Sequence, residues 1–486
     1  MIAGDLLGER ARLTPDKTAL VEARLGKRFT YAALDRRAAA LAHFWLTRCG
    51  IAKGDRVGIL AENRVEYVDA FFAAGKSGIV LAPLSTRLAP AELAALIEDA
   101  APRLILFSAE WSELARSVEK LLPAARWLAI EDLPHDGVTG FSAVRCHPED
   151  LWCLLYTSGT TGRPKGVMLP HRMILWNAYN TVISWQLRED DIAPIFTPMY
   201  HAGGLAVFLT PLFAIGGTVI LHERFEASEI WRSLDRERAT LLFGVPTTFQ
   251  RMREAPEFET ADLSGLRWAI SGGAPLPLFL IDEYRRRGVV FKQGYGLTEA
   301  GVNCFAMSGE EAEKKAGSIG KPMMFAEVAL RNGELWLRGP HVSQGCWNQP
   351  EATAAAIDTD GWLHTGDVAH CDAEGFYYID GRIKEMFISG GENVYPAEIE
   401  AVLLQHPGIE DAAVLGVPDT TWGEAGVAFL VTRSGAKPSE AEILRFLEAR
   451  LARFKLPKAI RYLDALPRTP YGKVVRSELL QRYHSG

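Results

Sequence analysis

Leu151-Trp-Cys-Leu-Leu-Tyr156 runs straight into Thr157-Ser-Gly-Thr-Thr-Gly-Arg-Pro-Lys165-Gly166. An apolar run that ends in small, hydroxyl-bearing and glycine residues closed by a lysine has the makings of a phosphate cradle. Glycines let backbone N–H groups converge on an anion, the hydroxyls add donors, and Lys165 supplies a point charge. That chemistry suits a nucleoside triphosphate. The Walker loop needs four residues between its glycines and then Gly-Lys-Ser/Thr opening a helix. Here only Thr160 and Thr161 separate Gly159 from Gly162, Pro164 precedes Lys165, and Gly166 stands where a magnesium-binding hydroxyl is required. The spacing therefore argues against a P-loop NTPase. By composition alone such a stretch is more often a solvated turn, so the rest of the chain has to decide.

Before this loop, Arg56–Leu60, Ile79–Leu84 and Arg103–Phe107 are short β-rich runs separated by helix-like stretches at Val65–Ala74 and Pro90–Asp99. The order βαβαβ implies right-handed crossovers and a mainly parallel sheet covered on both faces. The same texture returns at Gly217–Leu221, Thr240–Phe243 and Trp268–Ser271. Between about 320 and 380 it changes: Glu334–Arg338 and Gly375–Ile379 read as antiparallel strands joined by Asp/Gly turns. After Lys384 the chain reads as a small α+β unit. Pro396 opens a helix that ends before Gly408, and Ser439 with Glu442 forms a capping-box pattern ahead of a periodic run to Arg453. Strands near Ala412–Leu415 and Val427–Val431 lie between those helices. The expected domains are 1–383 and 384–486, joined at Lys384 by a hinge of a few residues.

A chain of 486 residues exceeds the size of one growing core, in keeping with two domains. A net charge of −7 argues against a nucleic-acid partner. Six cysteines without paired metal-ligand spacing look like reduced thiols, and the acidic start Met1-Ile-Ala-Gly-Asp lacks the basic region of a signal peptide. Lys76 interrupts the longest candidate membrane span. A cytoplasmic protein, monomeric or homodimeric, with at most peripheral membrane contact, is expected.

Four further tracts carry chemistry. In Gln293-Gly-Tyr-Gly-Leu-Thr-Glu299, the glycines Gly294 and Gly296 leave Tyr295 free to present a ring to adenine, although it is as readily a core aromatic with a bonded hydroxyl. Thr298 and Glu299 follow, and a carboxylate there can hold Mg²⁺ bridging phosphates, or can simply be an acid at a helix N-terminus. Gly361-Trp-Leu-His-Thr-Gly-Asp367 offers Asp367 to ribose hydroxyls, though turn-forming aspartates are common. Asp380-Gly-Arg-Ile-Lys384 continues to Ser389-Gly-Gly-Glu-Asn393, with Arg382 either a ribose or phosphate contact or a surface ion pair. Pro467-Arg-Thr-Pro-Tyr-Gly-Lys473 ends on a lysine held by a glycine turn.

Together with the 157–166 loop, these tracts resemble in kind and order the signature motifs of the adenylate-forming superfamily: acyl- and aryl-CoA synthetases, adenylation domains of peptide synthetases, and beetle luciferases. The resemblance implies that family's α/β fold. A large N-terminal domain of mainly parallel sheets covered by helices, with a β-rich subdomain, carries a small mobile α+β C-terminal domain. It also implies ATP and Mg²⁺, with coenzyme A as a substrate. Thr157, Ser158, Gly159, Thr160, Thr161, Gly162 and Lys165 would handle phosphates, and Thr157 and Glu299 the metal. Gly272, Gly273 and Ala274, together with Gln293, Gly294, Tyr295, Gly296 and Thr298, would border the nucleotide, and Asp367 and Arg382 its ribose. Lys473 would contact the reacting carboxylate and phosphate. The C-terminal domain would then rotate about Lys384, bringing Ser389, Gly390 and Gly391 to form a pantetheine channel. His201, in Pro198-Met-Tyr-His-Ala-Gly-Gly204, matches a position lining the acid pocket, while a lone histidine is more often a satisfied core residue. Leu205, Phe208, Leu209 and the segment 301–307 would add apolar walls.

The expected activity is an ATP-dependent carboxylate–CoA ligase forming acyl-AMP and then acyl-CoA, on a medium- or long-chain fatty acid. Aryl, phenylpropanoid or succinylbenzoate acids are the alternative substrates. An adenylating enzyme that loads a carrier protein, and a non-catalytic acyl- or nucleotide-binding protein, are the rival functions.

Overall fold

A computed structural model describes residues 5–135, 140–157, 165–274, 276–389, 392–433, 436, 438–469 and 473–485. Strands Arg56–Leu60, Val80–Leu84 and Leu104–Phe107 pair in parallel, and helices Val65–Ser77 and Pro90–Ala100 make the crossovers. The βαβαβ reading is met to within three residues at every boundary. Trp127–Ala129 extends this sheet on one side and Leu151–Thr157 on the other, both in parallel. Lys165–Pro170 then folds back antiparallel as the edge strand, with Thr157 opposite Lys165. Helix Val65–Ser77 is buried almost all round, because it is sandwiched between this sheet and helix Tyr31–Thr47. Its Lys76 is only 3% exposed and is neutralised by Asp5 (2.6 Å) and Asp35. No helix among the described residues is long and apolar enough to cross a membrane.

A second layer combines Thr18–Glu22, Arg28–Thr30, Ile192–Ile195 and Thr218–Leu221. Thr240 N–H donates to Ile192 O at 2.8 Å and so joins that sheet to a parallel three-stranded one of Leu241–Gly244, Trp268–Ser271 and Phe291–Gln293. One face of these strands packs on the main core around Trp152, Phe208 and Phe213, and the other on Trp231, Phe249 and Tyr284. Strands Glu327–Arg331, Glu334–Arg338, Leu363–Cys371 and Tyr377–Arg382 form the antiparallel sheet expected between 320 and 380.

The C-terminal sheet is built on the long hairpin Ile409–Asp419 and Gly423–Thr432, flanked by Phe387–Ser389 with Glu392–Val394 and by Ala459–Tyr462. Alternation along the hairpin gives it two cores. Val414, Ala428 and Leu430 face helices Pro396–Leu403 and Glu440–Glu448, while Leu415, Val427 and Phe429 face Leu466 and Leu479. Ser439 caps the second helix by accepting from Glu442 N–H at 3.3 Å. That helix ends at Glu448, five residues short of the expected Arg453, and Arg453–Lys455 forms a separate 3₁₀ turn. After Leu447 the apolar side chains no longer return to the core at helical spacing: Leu451, Phe454 and Leu456 pack there from the irregular segment instead.

Candidate active site

Strands Leu151–Thr157, Trp268–Ser271 and Phe291–Gln293 run out into tracts that carry the expected site residues. The ends of the 157–165 connection are a register pair, so Lys165 is fixed on a strand rather than swinging on a loop. Ser158, Gly159, Thr160, Thr161 and Gly162 lie outside the described residues, as do Gly390 and Gly391. After strand Trp268–Ser271 come Gly272, Gly273 and Ala274, and Gly294 N–H donates to Ser271 O at 2.7 Å, which lays the Gln293–Gly296 segment alongside them. A Cβ on Gly296 would fall 2.1 Å from Val302 O, so only glycine allows that approach. Val302 itself sits at φ 74°, a strained backbone for a β-branched residue.

Asp367 and Arg382 are opposite one another in the antiparallel sheet, and Arg382 Nε donates to Asp367 Oδ1 at 2.8 Å. The Tyr295 hydroxyl donates to Asp367 Oδ2 at 2.5 Å, and its ring stands edge-on to Phe305. Arg382 is thus in the ion pair that was one of its two readings, and Tyr295 has the bonded hydroxyl of one of its own. Burial raises the Asp367 carboxyl's pKa, against the pull of Arg382, Tyr295 and Lys473. Glu299 lies in the short 3₁₀ turn Thr298–Ala300, and burial raises it too, opposed by its own backbone N–H and by Lys473, Arg382 and Lys165.

Lys473 reaches this junction from the C-terminal unit. Burial lowers its pKa, Arg382 lowers it further, and Glu299, Asp367 and Glu385 hold it up. Lys384 is lowered by burial and by the charges of Lys165 and Arg382. Four cations (Lys165, Arg382, Lys384, Lys473) therefore act on one another and on three carboxylates (Glu299, Asp367, Glu385) in a partly dry space. Glu385 is shared with Arg476 at 3.2 Å, which leaves the junction positive. A surplus of cations fits a polyphosphate. Among the described residues no group of three or more His, Cys, Asp or Glu is placed to hold a metal. Magnesium would be carried here on phosphates, for which the Glu299 carboxylate in its 3₁₀ turn and the Thr157 hydroxyl at its strand end are the candidate oxygen donors.

His201 is half-buried beside Tyr200 at the head of helix Ala202–Ala206. Burial and the charges of Arg87 and Lys473 push its pKa down to about 3, so its ring is neutral. Sequence reasoning missed Phe243. Cβ atoms built on Gly203 and on Gly272 would each lie 3.4 Å from its ring, which is therefore wedged between the His201 segment and the Gly272 turn. No motif marks it, since it reads as one apolar residue in a strand. Ser389, expected in the pantetheine channel, is 2% exposed at the end of its strand.

The profile of the family described as AMP-binding enzyme matches residues 7–347, and that of the AMP-binding enzyme C-terminal domain matches 398–473. The chain belongs to the AMP-binding enzyme family. A feruloyl-CoA synthase of an Amycolatopsis species is 40% identical over 98% of this chain and 97% of its own length. A long-chain-fatty-acid–CoA ligase of Mycobacterium tuberculosis is 36% identical, covering 99% and 98%. The solved structure of Bacillus subtilis O-succinylbenzoate coenzyme A synthetase with ATP and a magnesium ion aligns with a TM-score of 0.87 at 31% identity, covering 98% of this chain and 99% of that one. This AMP-binding enzyme has the adenylate-forming synthetase fold and is an AMP-forming carboxylate–CoA ligase that uses ATP, Mg²⁺ and CoA.

Proposed function

We propose that the acid is aromatic, of the phenylpropanoid or aryl class, rather than a long fatty chain. The observation that carries this reading is the run of rings leading away from the junction. Phe243, between the two glycine segments, meets Phe208 edge-on at 6.4 Å, and Phe208 meets Trp268 at 6.0 Å and Trp185 at 6.3 Å. Edges and faces of this kind suit a flat ring, which gains specific contacts beyond area burial. The 40% identity to a feruloyl-CoA synthase supports the same class.

In the first half-reaction a carboxylate oxygen attacks the α-phosphorus of ATP. The new bond is acyl O–P, and the bond to pyrophosphate breaks. Lys473, reaching in from the C-terminal unit, stabilises charge that grows on oxygens already repelling one another. Lys165 and Arg382 offset the phosphates, Glu299 and Thr157 would hold magnesium, which would supply further charge neutralisation there, and Asp367 with Arg382 takes the ribose. The neutral ring of His201 lines the pocket without adding charge beside the acid. The CoA thiolate then attacks the acyl carbon and AMP leaves. That step needs the space Lys473 fills, so the unit after residue 383 turns about Lys384 and presents Ser389 with Gly390 and Gly391.

Pyrophosphate release and thioester formation, measured on cinnamate, ferulate, benzoate, succinylbenzoate, octanoate and palmitate with ATP, Mg²⁺ and CoA, test the reading. Ferulate or cinnamate should exceed palmitate in kcat/KM by at least about tenfold, the worth of one good aromatic contact set. A preference for palmitate overturns the aromatic reading in favour of the fatty-acid one.

A further inference from the structure

Register pairs Phe243 with Ile270 and Ile270 with Lys292, so these side chains share the sheet face that carries the run of rings. Trp268, two residues before Ile270, shares it too. Beyond Phe208 this face opens into a cleft of about 230 Å³ lined by Trp185, Trp268, Lys292, Met307, Arg267 and Ser184. The two indoles stand 5.6 Å apart at 90°.

Lys292 is 7% exposed, and its Nζ lies 4.6 Å from the Trp268 ring centre. Among the described residues it makes no hydrogen bond or ion pair. Its neighbours are already engaged. Arg267 is held by Asp191 at 2.6 Å and by Gln186 O at 3.0 Å. Glu311, whose charge acts on Lys292, accepts from Ser308 N–H at 2.7 Å and pairs with Lys321 at 3.3 Å. Burial and the Arg267 charge lower the Lys292 amine to about 8. A buried ammonium without an acceptor is costly, and an oxygen placed in the adjoining cleft would remove that cost.

We propose that this cleft binds an aromatic ring bearing a carboxylate or phenolic oxygen, with the Trp185 and Trp268 indoles as walls and Lys292 as the counter-charge. The oxygen comes either from the far end of the acid being activated, which rests on the aromatic-acid reading above, or from a free aromatic acid bound in its own right.

The test is calorimetric titration of the full-length protein with 4-hydroxycinnamate and with cinnamate, alone and after the catalytic site has been filled with an acetyl sulfamoyl adenosine. It is run on the wild type, Lys292→Met and Lys292→Arg. Binding of 4-hydroxycinnamate should weaken about tenfold in Lys292→Met, as for loss of a charge-assisted hydrogen bond, and recover in Lys292→Arg. Cinnamate should respond less where its carboxylate is the group being activated, and as much where it binds as a free acid. If the oxygen belongs to the substrate, the filled site abolishes this binding, and the ratio of kcat/KM for 4-hydroxycinnamate over cinnamate falls about tenfold in Lys292→Met. If it belongs to a free acid, one equivalent still binds to the filled protein. Equal binding of both acids by wild type and Lys292→Met in both arms overturns the proposal. Absence of pyrophosphate release with every acid, alongside Lys292-dependent binding, would remove the substrate reading and leave the cleft assigned.

Discussion

At the junction of the two units Lys473 faces the charges of Glu299, Asp367 and Glu385, whereas inside the N-terminal layers His171, His341 and Lys292 are buried with no hydrogen-bonded or ion-pair partner on their side chains among the described residues. Burial acts the same way on all four, disfavouring the charged form. The difference lies in what faces them. Carboxylates oppose the loss of the Lys473 charge, whereas among the described residues Asp150 alone acts so on His171 and none does on His341. The His171 ring lies against Trp152 with centroids 4.9 Å apart, and it stays neutral as one more core ring.

The sharpest way to break this comparison is to remove the compensated cation. Lys473→Ala should lower the rate of pyrophosphate release by roughly 10²–10³, the loss of one preorganised donor. Thioester formation from supplied acyl-AMP should fall by far less, as the proposed withdrawal of Lys473 for that step requires. Equal losses in both half-reactions would mean that Lys473 holds the junction together rather than serving one step. Glu299→Gln should come next, with about a tenfold to hundredfold loss of adenylation that rising Mg²⁺ partly recovers. Loss that Mg²⁺ does not touch would place Glu299 among the carboxylates that merely hold Lys473.

The neutral imidazoles of the N-terminal layers should announce themselves in acid. The folded-state pKa is about 4 for His171, His222 and His341 and about 3 for His201, against 6.5 when exposed. Above pH 6.5 both states are neutral and these rings leave stability unchanged with pH. As pH falls from 6.5 towards 4 the unfolded chain gains protons that the folded one refuses, so stability drops by up to ~1.4 kcal/mol per pH unit for each ring. Below about pH 4 the dependence from three of them ends. Urea midpoints measured from pH 7 to 4 should show this slope, and His171→Leu should flatten it by one ring's share. An unchanged slope would mean the His171 ring finds a proton acceptor when folded.

Most of the fold was legible because strands and helices in the N-terminal region are short, regular and bounded by glycines. The segment 56–107 is one example, and Trp268–Ser271 coincides with its observed strand. The helix after Ser439 was read too long because Leu451 and Phe454 continue the apolar count while their backbone has already turned, a choice made by tertiary packing. In the site, glycine-rich tracts with charged ends could be read as chemistry. Phe243, Lys292 and the pairing of Glu385 with Arg476 could not, because each depends on segments brought together from far apart in sequence.

The smallest expected effect probes how the junction is held in this arrangement. Arg433, from the loop after the long C-terminal strand, lies over the Phe279 ring at 5.0 Å, a cation–π contact between the two units. At a partly exposed site such a contact is worth about 0.5–1 kcal/mol. Rotation about Lys384 would carry Arg433 away from Phe279, so the contact favours the arrangement in which Lys473 is inserted. Arg433→Ala should therefore slow adenylation about two- to fivefold, the rate equivalent of that energy, and leave thioester formation from acyl-AMP equal or faster. Phe279→Ala should match it, and the double variant should add nothing further, since both remove one contact. Additive losses would show two separate contributions. A slowdown confined to thioester formation would mean that the contact belongs to the other arrangement, and that Lys473 owes its place to the carboxylates alone.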